Sequence, residues 1–137
     1  MVRVNKAKLS NKQQTALFNQ MNHVLSKLNE KQTGLFLSEL LGEEERIILA
    51  KRLAVIILLL EGRSLYNISA LLKISPTTAD NINQKLKAGT YDQLINLLGQ
   101  NKTDYFSILE AIDTILHLGG ILPHYNGPVL YRKKPSI

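Results

Sequence analysis

The sequence predicts an all-α fold, a helical bundle, and three observations predict it. Apolar residues recur every three or four positions along most of the chain, while strand-like alternation is rare and β-branched clusters are few. Helix caps and glycine stops punctuate that pattern at helical intervals. One stretch, "LAVIILLL" at 53–60, is apolar on every side and has to be buried on most of them. At 137 residues the chain is long enough to close one core.

The elements follow in order. Over 13–28, Leu17, Met21, Val24 and Leu28 form one apolar stripe. "KQTGLFLSELL" is a second, shorter helix. The third runs from about Glu43 to Glu61. It opens on three carboxylates, which the positive end of the helix dipole favours, and it stops at Gly62. Within it, "IILAKRLAVIILLL" needs more apolar cover than one small protomer supplies, which predicts a homodimer. Two short helices follow, at about 64–72 and 75–87. "GTYDQLINLLG" offers Thr90 as a cap and Gly99 as a stop. "NKTDYFSILEAIDTILHLGG" offers Thr103 as a cap, a face of Phe106, Leu109, Ile112 and Leu116, and a Gly119-Gly120 stop. The last residues, with Pro, Asn-Gly and a basic cluster, read as irregular. The predicted organisation is a basic arm over 1–12, an all-α domain over 13–118 and an irregular basic tail over 119–137. No repeat or low-complexity tract interrupts it.

The charge is unevenly placed. Of the net +6, residues 1–12 carry +4, residues 131–137 carry +3, and the span between them is −1. Basic ends flanking a near-neutral body suit a polyanion, or serve solubility alone. The chain has no cysteine, which removes disulfides and thiolate metal sites and fits a reducing cytoplasm. The longest apolar run is far too short to span a membrane, and the basic start lacks the apolar core of a secretory signal. His23, His117 and His124 lack metal-ligand spacing, and His117 at a helix end suits the dipole there. No nucleophile, phosphate-loop or cofactor motif is present, so no enzyme, cofactor or metal is expected. Of the tyrosines, Tyr125 and Tyr131 flank a turn among basic residues, where they either pack or lie on a nucleic-acid backbone.

Residues 65–84, "LYNISALLKISPTTADNINQ", carry the pattern of a helix-turn-helix. Such a unit needs apolar residues within both helices and at the turn. Ile68 and Leu72 meet this on the first helix, Ile74 in the turn, and Ala79 and Ile82 on the second. Two positions depart from the usual pattern: Lys73 stands where glycine is common, and Ser69 where a smaller residue is common. Ser75 caps the second helix and Pro76 opens it.

The segment over about 41–89 resembles the Trp repressor-like family. That family's pattern is an acidic helix start with E-R, then A-x-R-L, L-x-x-G, S-x-x-x-I and S-x-x-T. Here these are Glu45-Arg46, Ala50-Lys51-Arg52-Leu53, Leu59-Leu60-Glu61-Gly62, Ser64 through Ile68, and Ser75 through Thr78. The resemblance implies an intertwined all-α homodimer that binds operator DNA as a repressor, with the greasy third helix in the shared core. It leaves residues 100–137 unexplained. In tryptophan-sensing members two arginines hold the ligand. The first matches Arg52, a possible small-ligand residue that otherwise pairs with a helix-start glutamate. The second falls on Asn81, and a ligand-holding serine falls on Lys85, so tryptophan is not expected to bind.

If the helix at 75–87 enters the major groove of double-stranded DNA, its base-reading set is Ser75, Thr77, Thr78, Asp80, Asn81 and Gln84. Asn81 and Gln84 suit adenine, Thr77 offers a methyl to thymine, and Asp80 either accepts from cytosine or repels wrong sequences. Arg63, Lys73, Lys85 and Lys87 are the phosphate contacts. The absence of arginine from this helix points to an A·T-leaning site. The rival expectation is a protein-interaction module that keeps the fold without specific DNA binding; the near-neutral body and Asp80 favour it.

Overall fold

The computed structural model describes residues 8–116. The C-terminal tail, His117, His124, Tyr125, Tyr131, the Gly119-Gly120 stop and the first seven residues of the basic arm lie outside the described residues. Within them the chain is all-helical, with seven α-helices and no strand. These are α1 (Asn11–Ser26), α2 (Glu30–Leu40), α3 (Glu43–Leu60), α4 (Leu65–Leu72), α5 (Pro76–Lys87), α6 (Asp92–Gly99) and α7 (Lys102–Leu116). None of them is long and apolar enough to cross a membrane.

The chain divides into two compact units at Leu49 and Ala50. In the first unit, α1 and α2 are set by reciprocal capping boxes. Ser10 Oγ accepts from Gln13 N at 3.1 Å while Gln13 Oε1 accepts from Ser10 N at 3.0 Å. Asn29 and Gln32 repeat this at 2.8 and 3.1 Å. The Asn29 cap ends α1 earlier than the apolar stripe suggests, at Ser26, and leaves Leu28 in the link. Neither helix contains a buried residue. Leu17, Phe18, Met21 and Val24 on α1, and Leu35 and Leu40 on α2, stay exposed within a single chain.

The second unit holds the core. The last two turns of α3, Val55 to Leu60, are buried on all sides within one chain. Ile68 and Leu72 of α4, Ile82 and Leu86 of α5 and Ile95 of α6 join them. A second cluster gathers Ile57 with Tyr105 and Leu109 of α7. A single chain therefore supplies more cover for α3 than its composition suggests, and the deficit is confined to Ile47, Ile48, Leu49 and Leu53, which are 41–47% exposed.

Three helix ends in this unit share one device. Gly62, Lys73 and Gly89 take left-handed backbone, with φ of 85°, 54° and 83°. Each is followed by an N–H reaching back five residues: Arg63 to Leu58 O, Ile74 to Ser69 O, and Thr90 to Lys85 O. The last of these corrects the expected cap of α6. The Thr90 N–H donates to Lys85 O at the end of α5, while α6 begins at Asp92 with Tyr91 at the cap position and no side-chain cap, and Gly99 closes the helix as its last residue. The expected Thr103 cap is also displaced. Asn101 Oδ1 accepts from Asp104 N at 3.1 Å, which puts Thr103 inside the first turn of α7.

Candidate nucleic-acid interface

The candidate interface is built on α4, the turn Lys73–Ser75 and α5. Ser64 Oγ accepts from Asn67 N at 3.1 Å and starts α4. At the turn Lys73 adopts φ 54° and ψ 53°, the conformation for which glycine is usual. Three contacts hold it. Ser69 Oγ donates to Ile74 O at 2.6 Å, Lys51 Nζ of α3 donates to Lys73 O at 3.3 Å, and Ile74 packs against the core. Ser69 is thus more than a tolerated substitute for a smaller residue, because its hydroxyl satisfies a carbonyl in the turn. Lys73→Gly is expected to raise stability by about 1 kcal/mol by relieving the left-handed lysine, read as a higher Tm.

Ser75 then caps α5, its Oγ accepting from Thr78 N at 3.0 Å and meeting Thr78 Oγ1 at 2.7 Å. Pro76 occupies the first turn, where its missing N–H costs nothing. The two hydroxyls of Ser75 and Thr78 are engaged with each other. At 100° per residue, Thr77, Asn81 and Gln84 share one face of α5, opposite buried Ala79, Ile82 and Leu86. All three of those polar residues are exposed. Asp80 is half-buried on the flank, with Gln84 Nε2 3.5 Å from its Oδ1. Lys73, Lys85 and Lys87 are exposed and Arg63 is half-buried, so the unit has cations at the turn and at the end of α5.

Arg52 is exposed on α3. The carboxylate of Glu45, the helix-start acid nearest to it in sequence, turns back to its own helix and accepts from Gly42 N at 2.8 Å. No group of three or more His, Asp or Glu residues suited to a metal ion occurs among the described residues. A comparison of the chain with protein-family models, curated proteins and solved structures finds no match.

One contact that steadies the interface from below was not legible as a motif. Tyr105 is fully buried, and its hydroxyl donates to Glu61 Oε2 at 2.5 Å. Glu61 follows the last residue of α3 and precedes the glycine that turns the chain into α4. The bond therefore ties α7 to the end of α3, just ahead of the turn into α4. Tyr105→Phe is expected to cost about 1.5–3 kcal/mol, as for a hydrogen bond to a charged group, seen as a lowered midpoint in urea with the slope unchanged.

Proposed function

We propose that this protein is a sequence-specific, double-stranded-DNA-binding regulator, a repressor working as a homodimer in the cytoplasm, and that it catalyses no reaction. The α4–turn–α5 unit acts as its helix-turn-helix, with α5 as the reading helix. The observation that carries this reading is the two-sided character of α5. Its apolar face is locked into the core through Ala79, Ile82 and Leu86, while Thr77, Asn81 and Gln84 are held outward on the other side. A polar face fixed that rigidly suits base edges in a major groove. The exposure of Lys73, Lys85 and Lys87, with half-buried Arg63, supports their role as phosphate contacts.

The homodimer is supported by the first unit. Two capped helices without one buried residue need an apolar partner surface to be stable, and a second copy offers the same surface in return. On this reading the resemblance to the Trp repressor-like family is one of fold and mode of action, without tryptophan as the ligand, since Asn81 and Lys85 stand at two of its holding positions.

A second reading, a protein-interaction module, is favoured by Asp80, an acid at the edge of the reading face. Selection of bound duplexes from a random library decides between them. The regulator enriches a two-fold symmetric, A·T-leaning site. Recovery of no consensus with folded, dimeric protein leaves the interaction module.

A further inference from the structure

A groove of about 390 Å³ opens in the second unit between α3 and α7. Leu53, Ala54 and Ile57 line one wall, Ile108 and Ile112 the other, and Leu72, the last residue of α4, closes it towards the turn. Among the described residues Lys51 is the single charged residue on its lining, which it meets with its methylene stem, and its ammonium reaches Lys73 O in the α4–α5 turn. A groove of this size accepts a small molecule. Its walls offer apolar contact, and the Lys51 stem that lines it ends in one cation, so together they select a ligand with one anionic end and an apolar body. A zwitterion, a sugar or a nucleotide would leave polar groups without partners against the isoleucines.

We propose that this groove binds an apolar monocarboxylate whose carboxylate draws Lys51 away from the Lys73 carbonyl, so that occupancy is felt at the turn leading into α5. An ammonium bound to a neutral carbonyl at 3.3 Å gains by exchanging it for a carboxylate, because the charge-assisted bond is the stronger. The bound body also presses on Leu72, directly before left-handed Lys73. The ligand site stands independently of the regulator reading; only its consequence for DNA rests on that reading. The site is also separate from Arg52, which does not line the groove.

The test is titration calorimetry of the full chain with decanoate and with decan-1-ol, in the absence of DNA. Decanoate is expected to bind once per chain and about five-fold tighter than the alcohol, the preference typical of one partly exposed charge pair. Lys51→Met should erase that preference while leaving alcohol binding intact. Ala111→Trp, at an exposed groove position, should abolish binding of both. No binding to the folded wild type, equal affinity for acid and alcohol, or undiminished binding by Ala111→Trp overturns the site. Dissociation of a dimer by Ala111→Trp also overturns it, because the groove is then filled by a second copy. In a mobility-shift arm, decanoate should alter duplex affinity for the wild type and not for Lys51→Met; an unchanged affinity at saturating decanoate overturns the link to the turn. If the calorimetry holds and no duplex binds at all, the regulator reading fails and the groove remains.

Discussion

Replacing Met21 and Val24 together by glutamate is expected to turn a dimer into a monomer with a large loss of helix. Both residues lie on the apolar stripe of α1 and both are 42% exposed in a single chain. Alone, α1 is a 16-residue helix with no buried residue, and isolated helices of about 12–15 residues are marginal in water. Its stability, and that of α2, has to come from apolar burial against another surface. Each side chain covered there contributes about 1.5–3 kcal/mol, and an unpaired carboxylate in its place adds a desolvation cost on top of that deficit. In a two-fold symmetric dimer every substitution enters the interface twice. Sedimentation velocity across the micromolar range should show the dimer peak replaced by monomer, with far-ultraviolet ellipticity reduced by the share of α1 and α2. The second unit keeps its own buried core, so cooperative unfolding of that part should persist. Asn19→Glu, on the opposite face of α1, should change neither measurement. A wild-type chain that sediments as a fully helical monomer removes the dimer from the reading.

What the sequence could reveal depended on how local the cause was. The α4–turn–α5 unit was legible because each of the causes read from it lies within about fifteen residues: Ser75 as a cap, Pro76 after it, and apolar residues at 68, 72, 74, 79 and 82. The caps of α1 and α2 were also local, in the Ser10–Gln13 and Asn29–Gln32 pairs, but the apolar stripe running on to Leu28 obscured the boundary between them. Thr90 misled because the turn through left-handed Gly89 puts Tyr91, one residue later, at the start of α6, and the composition does not state that conformation. Thr103 gave way to Asn101 because both begin an acceptable capping pattern and only the end of α6 decides which is used. Tyr105 gave no signal, since its partner Glu61 is 44 residues away and that pairing exists only once α7 has packed. The burial of α3 was foreseen in kind and misjudged in source: from Val55 onward the cover comes from its own chain.

Asn81→Ala should weaken binding to the preferred duplex by about 1–3 kcal/mol, the worth of one bidentate amide–adenine pair, and leave random duplex nearly unaffected. The substitution sits on the exposed face of α5, away from Ala79, Ile82 and Leu86, so the fold should be unchanged. It removes no charge, so the dependence of affinity on salt should stay as in the wild type. The cations act differently. If each protomer neutralises three or four phosphates through Arg63, Lys73, Lys85 and Lys87, the intact dimer should show a log–log salt slope of roughly −5 to −7. Lys85→Gln should lower affinity for preferred and random duplex alike and make the slope shallower by about two, because each protomer then neutralises one phosphate fewer. Removal of residues 1–8, which leaves the Ser10 cap of α1 in place, or of 131–137 should act in the same sequence-independent direction, because each segment carries +3. Fluorescence anisotropy in rising salt, on both duplexes, separates the two kinds of residue. Equal weakening on preferred and random duplex for Asn81→Ala would show that α5 is not the reading helix, and the proposed mode of DNA recognition would fall with it.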